Sequence, residues 1–107
     1  GNGLSPNVIH SLDGSHMAAV TIEAHAAGLR NLGGIHDCFV TTPAEMATLR
    51  ATIRSTFAGM YARDWFTPIA DELVSQLPSD VQAKLPPRPS LGGFDSQLVN
   101  NADYFVT

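Results

Sequence analysis

Apolar side chains at Met46, Leu49, Ile53, Phe57, Met60 and Tyr61 recur every three or four positions. That spacing predicts an amphipathic helix running to about Arg63, with Arg50 and Arg54 on its outward face. Thr42-Pro43-Ala44-Glu45 supplies its start: a capping residue, a proline in the first turn and a glutamate three residues on. Met17, Val20, Thr21, Ala24 and Ala27 share the period and predict a helix over residues 11–29. Ser11, Asp13 or Ser15 would cap it, and Gly28 suits its C-terminal end. Residues 1–9, with Pro6 and two glycines, read as a turn or extended lead-in. Between the helices the pattern changes. Residues 31–41 place the polar pair His36-Asp37 between two short apolar runs, which predicts a tight hairpin with the pair at or near its bend. The pair is not the Asn-Gly of the common two-residue turn. Further on, Ile69 to Leu77 reads as a short helix and Ser79 to Leu85 as one or two turns capped by Ser79. Pro86 to Pro89 stops regular structure, and residues 91–107 form a tail. Helices packed around a small antiparallel hairpin make this an α+β chain.

Composition narrows the picture. The 107 residues suffice for one domain but not two, and a domain this small buries roughly 60–70% of the surface that its unfolded chain exposes. Hydrophobic content of 44% can supply a modest core. Charged residues are scarce at 15%, against about 25% on average, which points to a surface partly committed to another chain or to the rest of a larger protein. The chain begins with Gly1, as a fragment or processed product does. The net charge is −4, with one lysine, Lys84, and five arginines. Nucleic-acid backbones are gripped by clustered Lys and Arg, so this is no basic nucleic-acid module, and any such grip must come mostly from elsewhere. The single cysteine, Cys38, excludes an internal disulfide framework. No apolar run approaches the ~18 residues of a membrane span, so no membrane partner is expected.

Asp37 is the first residue to consider for chemistry. An acid at the apex of a buried hairpin is costly without a partner. A metal ion is one partner, and carboxylate oxygens suit Mg²⁺, which keeps several waters and takes one or two carboxylates. Simple shaping of the turn is the other reading of Asp37. The four histidines His10, His16, His25 and His36 lack the spacing of a zinc site, and His25 reads as a half-buried helix residue. Asp13-Gly14-Ser15-His16 is not a nucleophile elbow. Cys38 beside His36 reads as inert rather than nucleophilic.

The run Pro6-Asn7-Val8-Ile9-His10-Ser11-Leu12-Asp13-Gly14-Ser15-His16-Met17 closely resembles the Pro-Asn-aromatic-hydrophobic-His-Ser-x-Asp-small-Ser-His run of bacteriophage-type single-subunit DNA-directed RNA polymerases. That family also includes mitochondrial and plastid transcriptases. Some twenty residues later the family carries a His-Asp hairpin, its third catalytic motif, and Ile35-His36-Asp37-Cys38-Phe39-Val40-Thr41 is similar to it. Pro43-Ala44-Glu45 matches the opening of the family's next helix. Pro86 to Pro89 and Tyr104-Phe105-Val106-Thr107 echo its Pro-rich stretch and aromatic end. The similarity is tight over residues 1–64 and loose beyond. Val40 and Cys38 depart from the residues most usual at their positions, and neither is a ligand position in the family.

The resemblance implies that residues 1–107 are the C-terminal palm segment, from the palm and fingers portion, of a right-hand RNA polymerase, with 86–107 as its tail. It implies a nucleotidyltransferase in which two Mg²⁺ ions bridge two aspartates and clamp an in-line displacement. Asp37 matches the second aspartate, and the first lies in a motif outside this chain. His36 neighbours the metal-binding acid and matches a catalytic position that helps to place it. His10 matches a residue at the minor groove of the newest base pair, where it would test pair shape rather than sequence. His16 matches a position read here as structural. The implied partners are the remainder of the polymerase, a DNA template, the RNA transcript and nucleoside triphosphates. The 107 residues alone are expected to be inactive. A virus-encoded enzyme would act in the host cytoplasm, the alternative being the mitochondrion. The alternative function is a non-catalytic binding or structural module derived from a polymerase palm.

Overall fold

A computed structural model describes residues 3–35 and 37–104. In chain order it contains helix α1 (Leu4–Ala26), strands β1 (Leu32–Ile35) and β2 (Cys38–Thr41), helices α2 (Met46–Tyr61), α3 (Phe66–Ser75) and α4 (Ser79–Gln82), and a 3-10 helix, Ser96–Asn101, in the tail. The architecture is α+β, with one antiparallel pair of strands among the described residues.

Helix α1 starts well before the expected position. Pro6 falls in its first turn, where an N–H has no partner inside the helix, so proline costs nothing there. The first helical bond runs from Asn7 N–H to the Gly3 carbonyl at 3.1 Å. Ser11 and Ser15 therefore lie inside the helix. Their hydroxyls donate back to the carbonyls of Asn7 and Ser11, both at 2.8 Å, instead of capping an end. The C-terminus does follow the sequence. Gly28 adopts φ +97°, its N–H bonds the His25 carbonyl, and Leu29 N–H bonds the Ala24 carbonyl. These two bonds define a Schellman stop, and its hydrophobic partners Ala24 and Leu29 both enter the core.

The core gathers Val20 and Ala24 of α1, Leu29, and Leu49 and Ile53 of α2, with Leu32 and Phe39 of the hairpin packed against it. His16 stacks edge-on against Phe57, ring centroids 5.6 Å apart. Nearer the start of α1, Tyr61 feels Asp13: burial first, and the Asp13 charge second, push the phenol pKa up. These contacts run 13 to 24 along α1 while falling from 61 to 49 along α2, so the two helices are antiparallel.

The tail is docked rather than loose. The buried Ser96 hydroxyl donates to the Ala58 carbonyl at 2.9 Å, and Val99 is buried beside it. Arg54 Nη1 donates to the Asn100 carbonyl at 3.2 Å and Arg50 Nη2 to the Asp103 carbonyl at 2.9 Å. Both arginines, expected to face outward, thus hold the tail antiparallel along α2. Helix α3 begins three residues earlier than expected, because the Asp64 carboxylate accepts from the N–H groups of Phe66 and Thr67, both at 3.0 Å. The Thr67 hydroxyl first, and then those N–H bonds, hold the Asp64 pKa below the usual carboxylate range. Ser79 does not cap α4, whose first turn follows Pro78 without a side-chain cap. No described helix is long and apolar enough to cross a membrane.

Candidate active site

The hairpin closes on the pair Ile35–Cys38, with Leu32 opposite Thr41 and Gly34 opposite Phe39. Side chains alternate between faces along each strand. Leu32, Gly34, Phe39 and Thr41 therefore share the face that meets α1, and Ile35 and Val40 point the other way, 65% and 54% exposed. Gly34 permits the close approach of the helix, since a Cβ there would lie 3.1 Å from Met17 Cε.

The base of the hairpin is tied to α2 by a residue that the sequence reading used only as a helix-start signal. Glu45 Oε1 accepts the Arg30 backbone N–H at 3.2 Å. Its Oε2 accepts the Asn31 amide at 3.4 Å and the Thr42 hydroxyl at 3.2 Å, and lies 3.1 Å from the Thr41 hydroxyl. The Thr41 proton is better placed for the Asn31 carbonyl at 2.6 Å. The Arg30 N–H, first among these donors, holds the Glu45 pKa below the usual glutamate value. Both ends of the hairpin thus meet at one carboxylate.

Leu32 joins the core near the C-terminal end of α1, and two residues later Gly34 lies against Met17. Strand β1 therefore runs back along α1 and carries the bend toward the half of the helix that holds His10. Asp37 occupies the turn and is exposed. The expectation of an acid on a buried hairpin is corrected: α1 covers one face only, and neither the outer face nor the bend is enclosed. The neighbour recorded for the Asp37 carboxylate is the Cys38 thiol, 3.6 Å from Oδ1, a weak donor. Asp37 thus has its oxygens uncommitted to any cation or backbone N–H among the described residues. No group of three or more His, Cys, Asp or Glu able to hold a metal occurs among those residues, so one carboxylate at the bend would need ligands from outside them.

His10 lies exposed on α1. The reading of His36 falls outside the described residues. His16 is half-buried between α1 and α2, its Nε2 3.4 Å from both the Ile53 carbonyl and the Thr56 hydroxyl. His25 is exposed rather than half-buried and lines a pocket with Thr21, Leu29, Leu32 and Phe39. Cys38 is a free, exposed thiol.

The sequence profile of DNA-dependent RNA polymerases matches residues 1–85. The chain is 37% identical over 101 residues to DNA-directed RNA polymerase 2B, chloroplastic/mitochondrial, of Nicotiana tabacum, covering 94% of this chain and 9% of that protein. It is 33% identical over 102 residues to the mitochondrial DNA-directed RNA polymerase 1 of Arabidopsis thaliana, covering 94% of this chain and 10% of the relative. It is 31% identical over 105 residues to T7 RNA polymerase of Escherichia phage T7, covering 96% of this chain and 12% of the phage protein. The chain thus spans only 9% to 12% of the length of these relatives. No solved structure matches it.

Proposed function

Because this chain belongs to the DNA-dependent RNA polymerase family, we propose that it is the C-terminal palm segment of such an enzyme and that Asp37 supplies one of its metal-binding carboxylates. The observation that carries this reading is the placement of Asp37: an exposed acid held out at the bend of a braced hairpin, whose neighbour among the described residues is the weak Cys38 thiol donor. Such a carboxylate fits Mg²⁺, a hard cation that takes one or two carboxylates and fills its remaining positions with water and substrate oxygens. When bound, the ions would lower the barrier to attack by the RNA 3′-OH and neutralise charge on the departing pyrophosphate. The chain's own share is positional. The Glu45 junction fixes the base of the hairpin, α1 supports one face, and the bend presents Asp37 toward a second carboxylate carried by the rest of the polymerase. His36, next in sequence, would help to orient that acid. His10, on the half of α1 toward which the bend runs, would face the minor groove of the nascent pair. A DNA template, RNA and nucleoside triphosphates are the partners, and residues 86–107 are the tail of the segment. The site of action follows the two kinds of relative: host cytoplasm for a phage-encoded enzyme, the mitochondrion for an organellar one.

The test is templated RNA synthesis by the complete polymerase carrying this segment. Asp37→Asn keeps the size of the side chain and removes its charge, and is expected to lower the rate on the order of a thousandfold while the protein stays folded. An unchanged rate would remove Asp37 from the metal site and favour the second reading, a structural module derived from a palm. The 107-residue chain alone is expected to make no RNA.

A further inference from the structure

Helix α2 ends at Tyr61, opposite Asp13, so the first turns of α1 project past the end of its partner helix. Beside that overhang lies α3, which has no buried residue. The two helices leave an open trough of about 700 Å³ between them. Val8 and Leu12 of α1 line one wall, and Trp65, Pro68, Ile69 and Leu73 line the other. On each wall these positions fall about one helical turn apart, so the trough has the ridged sides into which a third helix packs. Ser11 and Ser15 also line it, but their hydroxyls are turned back onto their own helix. The Trp65 indole N–H is likewise spent on the Met60 carbonyl at 2.7 Å. Arg63, Asp64 and Glu72 line it as well; Asp64 accepts the N–H groups of Phe66 and Thr67, and Glu72 accepts from the Gln76 side-chain amide. What is offered is an apolar surface with charged residues beside it.

We infer that this trough seats an amphipathic helix from the body of the polymerase, the part of the family's chain that this segment lacks. The inference rests on the reading of the chain as a polymerase segment. The three relatives named above are spanned to only 9% to 12% of their length, so most of the apolar surface that could cover the trough lies outside these residues. Leu73, in the trough wall, remains 41% exposed. Exposed apolar surface of this kind marks an interaction site.

Hydrogen exchange tests this in the complete polymerase and in the 107-residue chain. Amides of residues 66–75 are expected to exchange at least about tenfold more slowly in the complete enzyme. Leu73→Lys, which puts a charge in the trough, should restore fast exchange there, whereas Gln76→Lys, on the exposed end of the helix, should not. Equal exchange in the two variants of the complete enzyme overturns the inference. So does a chain that self-associates through the trough and becomes monomeric on Leu73→Lys, since the occupant would then be a second copy. Asp37→Asn is expected to leave the exchange of α3 unchanged, so slow exchange of α3 in an enzyme whose synthesis survives Asp37→Asn would sink the catalytic reading and leave this surface standing.

Discussion

Between Asp13 and Tyr61, the helices α1 and α2 and the hairpin share one core, whereas beyond Trp65 the helices α3 and α4 bury no side chain. Both regions are rich in apolar residues. What separates them is company. Leu49 is 1% exposed because α1 and the hairpin close over it, and Leu73 faces an open trough. The radius of gyration, 17.6 Å, exceeds the roughly 13 Å of a compact chain of this length, and the 59 × 26 × 23 Å outline shows the same elongation. The region that positions the candidate site carries its own packing, and its neighbour awaits a surface from elsewhere.

The contrast can be broken most directly at its two leucines. Leu49→Ala is expected to cost about 2–5 kcal/mol in denaturant unfolding of the chain, and Leu73→Ala to stay within about 0.5 kcal/mol. Equal costs would dissolve the distinction. Ser96→Ala tests the docked tail: it removes a buried hydrogen bond and should cost about 1 kcal/mol, with faster proteolysis near residues 96–101. The Ala58 carbonyl keeps the Ala62 N–H as a donor, which limits the loss. Arg54→Met should change stability by less than about 1 kcal/mol in either direction, because Arg54 Nε and Nη2 are buried without hydrogen-bond partners and removing them relieves that burial. The smallest effect is a pH slope. The Glu45 pKa is lower folded than unfolded, so its contribution is present above the usual glutamate value and is lost as the pH falls through the lower folded value. Glu45→Gln should flatten the stability profile in that acid window and leave its shape near neutrality unchanged.

Local signals made much of the well-packed region legible. The three-and-four spacing from Met46 to Tyr61 identified α2, and the Gly28 stop and the bend between two apolar runs followed from turn chemistry. Pro6 misled because the same residue breaks a helix interior and fits a first turn, and only the Gly3 carbonyl bonded to Asn7 tells the two apart. Ser11 and Ser15 misled because a hydroxyl that caps a helix can equally bond back inside one. The Asp64 cap has a local signal, an acid just ahead of the apolar positions of α3, where its carboxylate accepts the Phe66 and Thr67 N–H groups. The tail contacts had no local signal at all: Arg50 and Arg54 meet carbonyls 53 and 46 residues away. At the candidate site, the sequence placed Asp37 at the bend but not its exposure, since burial of a hairpin depends on what covers its second face.

The close approach at Gly34 has a mechanical consequence. The hairpin is anchored at Leu32 and Thr41 and touches Met17 two residues out, about 7 Å along the strand, whereas Asp37 lies four residues out from Thr41, about 13 Å. A side chain at position 34, or an oxygen added to the Met17 sulfur, would act as a wedge on a lever. A lift of a few tenths of an ångström at the fulcrum side would arrive at the tip nearly doubled, and a misplacement near 1 Å can cost a reaction about a hundredfold. The missing methyl of one glycine is thus a height adjustment for the carboxylate at the far end.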